Sequence, residues 1–342
     1  MQIKVSSSPI ISVIVIAHER KTYIREAVES VLHQNIPARN YEIIVVKNFR
    51  DVEIDSYLEH NGIKSIYTEA RSLGEKCLIG VSSSLGEIIT FLEDDDKYYR
   101  GRLKRIIEVF EDKDIVYYHN DHNIINTYGK ILRGGLFHNL GHSYSTKFEP
   151  LNWKVLRTLL NLGVYFNLSS IAVRKSILAN KLQGLTELTV ASDNFIFYVA
   201  LDTGVVIYAD SAKLTGYRIH SDNDSIFLAE DSKIINRSIS FLKRDIFGYS
   251  TILKFVSSSL LREVLECRLL AACINLTILD NDDPNTHLMN SFKAFRCCLK
   301  LRYNELAILI VVRFMSFFYP KFGLKVYLIY IKKKNSAFFS SK

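Results

Sequence analysis

Several things are scarce in this 342-residue chain. Cysteine occurs only as Cys77, Cys267, Cys273, Cys297 and Cys298, an odd number with no C-x-x-C pair. That excludes a structural zinc clip and predicts reduced thiols in a reducing compartment. There is a single tryptophan, Trp153, no internal repeat and no low-complexity stretch. Long apolar runs are missing too. The most apolar stretch, "ELAILIVVRFMSFFYPKFGLKVYLIYIKKK" (Glu305–Lys334), is interrupted at Arg313, Pro320 and Lys321, short of the ~20 clean apolar residues that a spanning helix needs. Acids are nearly absent from the C-terminal segment. From Ser291 onward there are 11 lysines and arginines against one acid, Glu305, whereas the remainder holds 33 basic and 35 acidic residues. The net charge of +8 therefore belongs to the tail. A basic surplus set among apolar residues points away from a nucleic-acid groove and towards an anionic membrane surface.

What is present is an ordinary globular balance, 48% hydrophobic and 23% charged. The length suits one large domain or two of moderate size. Aromatics reach 12%, which suits thick cores or sites that stack rings or sugars. The opening run into "IISVIVIA" (Ile10–Ala17) carries one lysine. It reads as a buried first strand, not as a leader. Amphipathic helices are expected at Tyr23–Gln34, Asp51–Asn61, Gly74–Ser82 and Gly101–Phe110. Strands are expected at Tyr41–Lys47, Ser65–Tyr67, Glu87–Leu92 and Asp114–His119. Repeated strand–helix alternation implies an α/β fold with a doubly wound, mostly parallel sheet, which binds ligands outside the carboxyl ends of its strands. The second half is less regular. A ribbon or loop excursion is expected over His122–Gly135, a helix over Leu151–Leu160 and another over Asp193–Leu201. Strands are expected at Ser169–Arg174, Val205–Ala209 and Lys213–His220. From about Asp231 the pattern turns helical.

The strand Glu87–Leu92 runs directly into Glu93, Asp94, Asp95 and Asp96. Helix capping explains one or two acids there, not four. Adjacent hard oxygens at a strand end suit Mg²⁺ or Mn²⁺ with a bound diphosphate completing the coordination.

In order and spacing, "SVIVIAHERKTYIREAVESVLHQ" (Ser12–Gln34, with Ser30 and Gln34), "YEIIVVKN" and "GEIITFLEDDD" (Gly86–Asp96) resemble a family 2 glycosyltransferase of the GT-A fold. The resemblance implies Asp95 as the chief metal ligand, Glu93 and Asp96 beside it, and Asp94 flanking the nucleotide. It implies nucleotide contacts from Ala17, His18 and Glu19, where the family has Pro-Thr-Tyr-Asn, and from Lys47 and Asn48 at the end of the second strand. A lysine cannot accept a hydrogen bond from a uracil imide, so Lys47 departs from the usual uridine-reading aspartate. Asn48 offers both a donor and an acceptor, and Lys47 is otherwise a solvated strand end. In "TVASDNFIFYVALDTG" Asp193 matches the family's catalytic base. Its bland alternative is a helix N-terminal acid. In "LTGYRIHSDNDS" the resemblance makes His220 a candidate metal or diphosphate ligand and Arg218 a phosphate ligand, a structural His220 being the alternative. Lys76 and Arg71 are phosphate candidates or solvated surface, and Trp153 a sugar platform or a core residue.

The domains expected are 1–230, catalytic, with a nucleotide half (1–120) and an acceptor half (121–230), then 231–342, a helical, basic and apolar C-terminal region. That region admits three readings: a membrane-interface pair of helices, a core packed on the catalytic domain, or a homo-oligomer contact. The function expected is inverting transfer from a nucleotide-sugar to a lipid-linked or growing glycan, on the cytoplasmic side and peripheral to the inner face of the membrane, with no nucleic acid. Two alternatives stand beside it. A sugar nucleotidyltransferase should carry a Gly-rich loop after the first strand, and "AHERKTY" has no glycine. A non-catalytic docking module should not turn Asp193 towards the acids.

Overall fold

The computed structural model describes residues 8–132, 145–148, 151–189, 191–204, 206–220, 231–280 and 319–336, with isolated positions between 296 and 315. The first strand, β1 (Ile11–Ala17), is buried along its whole length, as its unbroken β-branched run requires of a strand covered on both faces. It pairs in parallel with β2 (Tyr41–Lys47) and with β4 (Ile88–Glu93), and β3 (Lys64–Tyr67) extends the parallel set beyond β2. The registers place Ala17 opposite Lys47 and Ile16 opposite Glu93. The carboxyl ends of three strands therefore finish side by side, and the acids come directly after one of them.

Local chemistry sets the helices between these strands. Helix α1 (Ile24–Leu32) buries Ile24, Ala27, Val28 and Val31 at helical spacing. Asp51 caps α2 (Val52–His60) by accepting from the Glu53 and Ile54 N–H groups. Ser72 opens α3 (Leu73–Ser83) with a capping box, accepting from Glu75 N and donating to Glu75 Oε2 at 2.8 Å. Helix α4 (Arg102–Phe110) buries Leu103, Ile106, Val109 and Phe110.

The second half differs from the expected parallel continuation. Strand β6 (Ile115–Ile125) is not the neighbour of β4. Between them lies β8 (Ile171–Arg174), antiparallel to both. The two strands expected around residues 205–220 are one, β9 (Val206–Arg218), parallel to β6 with register shifts near Asp121. Two short strands, β5 (Lys97–Tyr98) and β7 (Thr146–Phe148), add to β9 antiparallel. The sheet order is β3-β2-β1-β4-β8-β6-β9-β5. The expected ribbon begins as the far end of β6, turns at Asn126–Lys130 and returns through a bridge between Ile125 and Ile131. Its continuation past Leu132 lies outside the described residues. Arg102 is fully buried where these strands meet, donating to Asn120 Oδ1 (2.9 Å), Thr90 Oγ1 (2.8 Å) and Ile171 O (3.4 Å) with its guanidinium 4.0 Å from the Tyr98 ring. Helix α5 (Trp153–Asn161) begins at the tryptophan, two four-residue helices come after β8 (α6, Lys175–Leu178; α7, Gln183–Thr186), and α8 (Ser192–Asp202) precedes β9.

The chain divides into two compact units, the sheet unit ending at Arg218 and a second made mainly of the chain from Ile219. In the second, α9 (Asp231–Phe255) and α10 (Ser259–Leu279) share a small core of Leu242, Ala272 and Leu276. A last helix, Pro320–Ser336, begins at the proline that the sequence marks as a break. Proline is accepted at a first helical position, where its missing N–H goes unused. Cys267 and Cys297 form a disulfide, which corrects the expectation of reduced thiols throughout; Cys77 and Cys273 are buried and outside that bond. Among the described residues no helix is long and apolar enough to cross a membrane.

Candidate active site

The acid turn grows directly out of the parallel sheet. Asp94 N donates to Ile16 O (3.0 Å) and Asp96 N to Glu93 O (3.1 Å), so the chain folds back over the end of β1 before β5 starts. Ser30 of α1 and Gln34 just beyond that helix anchor the next segment: Ser30 Oγ accepts from Tyr98 N (3.0 Å), and Gln34 bridges Tyr99 O and Leu103 N. Ser169, to which the sequence motifs give no role, accepts from Glu93 N at 3.0 Å. Asp94, Asp95 and Asp96 are all buried. Burial and the neighbouring Asp95 push Glu93 and Asp96 far above the usual carboxylate range and Asp94 up to about 6. Asp96 Oδ1 accepts from Arg218 N (2.9 Å), while its Oδ2 is buried without a hydrogen-bond partner.

Two arginines attend these acids. Arg20 Nη2 lies 2.8 Å from Asp94 Oδ1 and 2.9 Å from Asp95 Oδ2, with its side chain 32% exposed. No sequence motif marks Arg20. Its position three residues past β1, level with acids past β4, is the one signal that points to it. Arg218 is fully buried. It donates to Asp95 O (2.6 Å), to Asn126 O and Thr127 O (3.1 and 3.0 Å) and to Glu26 Oε2 (2.5 Å), beneath the Tyr23 ring. With its guanidinium spent on the chain itself, Arg218 clamps the acid turn, which corrects its assignment as a phosphate ligand.

The ends of β1 and β2 are held by buried lysines. Lys76 is inaccessible to solvent, against the expected solvated surface. Its Nζ donates to Ala17 O (3.0 Å) and meets His18 Nδ1 at 2.7 Å. Burial lowers its pKa to about 8. Burial and then Lys76 lower that of His18. An ammonium only donates, so Nδ1 is the acceptor and the ring hydrogen resides on Nε2. Glu19 adopts a left-handed backbone (φ 58°), and its N–H donates to Asn48 Oδ1 at 3.0 Å. Asn48 thus ties the β1 exit to the β2 exit. Lys47 is likewise no solvated strand end. It is buried, paired with Asp55 (2.6 Å) and donating to Phe49 O (2.8 Å). Arg71 is exposed and lines a cleft of about 440 Å³ beside the end of β3, with Thr68, Glu75, Leu78 and Thr186.

Asp193 is the second residue of α8, which opens at Ser192 after the left-handed Ala191 (φ 66°). It is half-buried, and its Oδ1 accepts from Asn194 N at 2.7 Å. It stands close enough to the acid turn to help raise the Glu93 carboxyl. Glu93 and Asp193, far apart in sequence, therefore share one electrostatic neighbourhood. His220 is buried but falls in the second unit, and the site described here is built from the first unit alone. Among the described residues no three His, Cys, Asp or Glu side chains gather as a metal-holding set.

The model of glycosyl transferase family 2 matches residues 12–178, the stretch that contains β1, the acid turn and Ser169. This segment is a family 2 glycosyltransferase domain. Curated relatives of the domain include uncharacterized glycosyltransferase RP339 of Rickettsia prowazekii, 29% identical over 116 residues (32% of this chain, 36% of the relative). Uncharacterized glycosyltransferase alr2836 of Nostoc sp. is 34% identical over 113 residues (31% of this chain, 34% of the relative). The match spans about a third of the length of these relatives. Among solved structures, Staphylococcus aureus TarS 1–349 in complex with UDP-GlcNAc superposes with a TM-score of 0.58 at 14% identity, covering 92% of this chain and 88% of that one. At that identity the likeness speaks for the fold, which is of the GT-A type.

Proposed function

We propose that the family 2 domain is an inverting glycosyltransferase that moves a sugar from a nucleotide-activated donor to a hydroxyl of a lipid-linked or growing glycan. The observation that carries this reading is the acid turn at residues 93–96, folded back over the end of β1 at the carboxyl edge of the parallel strands within the family 2 segment; Asp193, in the first turn of α8, is among the charges that raise Glu93. Asp193 takes the acceptor's proton as the acceptor oxygen bonds to the anomeric carbon. The bond from that carbon to the diphosphate oxygen breaks on the opposite face, and the nucleoside diphosphate leaves with the electron pair. His18 presents a neutral Nε2–H and Asn48 an amide at the strand ends where the nucleotide lies. TarS in complex with UDP-GlcNAc makes uridine diphosphate sugars the first donors to try.

The acid turn fits a divalent cation by its donor chemistry: hard oxygens, one buried oxygen (Asp96 Oδ2) without a hydrogen-bond partner, and carboxyls raised by burial and then by one another. Although these side chains do not gather around one point in this arrangement, Asp95, Glu93 and Asp96 are the residues that would hold Mg²⁺ or Mn²⁺, with Arg20 competing for Asp95. Bound there, the ion would neutralise charge on the departing diphosphate.

Thermal unfolding with UDP, other nucleoside diphosphates and their sugars, with and without Mn²⁺, tests the reading. A donor at about a hundred times its Kd adds about 2.7 kcal/mol of stability. Absence of any shift would favour the docking module. Asp193→Asn should leave that shift intact and lower transfer by about 10²–10⁴-fold; undiminished transfer would remove Asp193 as the base.

A further inference from the structure

The helix Pro320–Ser336 has apolar residues on two faces. One face is packed: Gly323 and Tyr327 are buried, and Tyr327 donates to Asn275 of α10 at 2.9 Å. The other face is open. Phe322 and Ile329, two helical turns apart, are 55% and 59% exposed, with Lys325 exposed between them. Just upstream, at helical positions, Ile308, Val311 and Met315 repeat the steps of three and four and are also exposed. Isolated apolar side chains on a surface need no explanation, but a repeated stripe of large ones does.

Charge decides what covers this stripe. The chain from Ser291 onward carries 11 lysines and arginines and one acid, and Lys321, Lys325 and Lys332–Lys334 lie in the helix itself. A second copy of the chain would set this positive charge against itself. An uncharged apolar partner would leave the lysines without counterions. An anionic bilayer supplies both halves of the match: hydrocarbon for Phe322 and Ile329, and phosphates that lysine ammoniums reach while their stems stay at the apolar level. The contact that this face offers is peripheral, since its exposed apolar residues share the helix with lysines. We propose that the open face of this helix, bearing Phe322, Lys325 and Ile329, is a docking surface for an anionic lipid bilayer. Docking there needs no nucleotide and no transfer chemistry, so it stands or falls separately from the proposed reaction.

Co-sedimentation of the full chain with phosphatidylcholine vesicles, with and without phosphatidylglycerol, tests this. The chain should pellet with the anionic vesicles, stay in solution with the neutral ones, and be released as salt screens the lysines. The double variant Phe322→Ser/Ile329→Ser should lose at least about tenfold in partitioning. The triple variant Lys332→Gln/Lys333→Gln/Lys334→Gln should lose about a hundredfold, and it keeps the proposal testable if the first variant folds poorly. Both should keep the wild-type nucleotide-induced thermal shift, or its absence. Failure to bind any vesicle would overturn the proposal. So would full binding by both variants, or a concentration-dependent dimer in sedimentation velocity that the double variant abolishes.

Discussion

Arg20 and Arg218 serve the same acids in opposite ways. Arg218 reaches the turn from a strand more than a hundred residues downstream, is closed off from solvent and spends its guanidinium on backbone carbonyls and Glu26. Arg20 comes from the loop just past β1, keeps a third of its side chain in solvent and meets carboxylate oxygens of the turn rather than its backbone. The first shapes the turn. The second offsets its charge, and charge offset is a role that a divalent cation can take over. Two arginines of equal formal charge thus differ in whether the fold or the ligand state depends on them.

The largest effect should come from breaking the buried member of the pair. Arg218→Met leaves the carbonyls of Asp95, Asn126 and Thr127 without this donor and Glu26 with Lys97 alone, and should cost about 3–5 kcal/mol in urea unfolding. Lys76, a third cation in the same region, sharpens the comparison through pH. Its folded pKa near 8 lies below the 10.5 of an ordinary lysine. Between those values the unfolded chain holds a proton that the folded chain has released, so stability should rise with pH across that window and the cost of burying the charge is felt in full below it. In Lys76→Met the rise should be missing when unfolding is followed from about pH 7 to 10.5. The smallest effect belongs to Arg20→Ala, which should alter stability by about 1 kcal/mol or less yet enlarge the thermal shift produced by Mn²⁺. A shift no larger than that of the wild type would mean that Arg20 does not compete with the cation.

Much of residues 1–120 is legible in the sequence because its signals are local. Unbroken β-branched runs mark β1, β2 and β4, helical spacing marks α1 and α4, and the acids announce themselves at a strand end. The hidden features depend on partners distant in sequence. The burial of Lys76 depends on Ala17 O and His18, and that of Lys47 on Asp55 and Phe49 O. Neither is visible in the composition around the lysine, where a charged residue reads as surface. Arg218 reads as a ligand because its motif stands near the site, but only the packed structure shows that its donors are already used. The antiparallel insertion of β8 between β4 and β6 also leaves no periodic trace, since a four-residue apolar strand reads the same in either direction. The disulfide joins cysteines 30 residues apart in a chain with an odd number of them, a pairing that spacing alone does not select.

Gly74 has a mechanical consequence. A methyl group on its Cα would stand 1.9 Å from Leu185 O and 2.7 Å from Leu188 O, and the neighbouring Leu73 N donates to Thr189 O at 3.2 Å. The first turn of α3, which carries Lys76, is therefore latched bare-backbone to the segment that delivers Asp193. A shift of either piece is therefore passed to the other through backbone alone, which couples the His18 anchor at Lys76 to the stretch that runs towards α8.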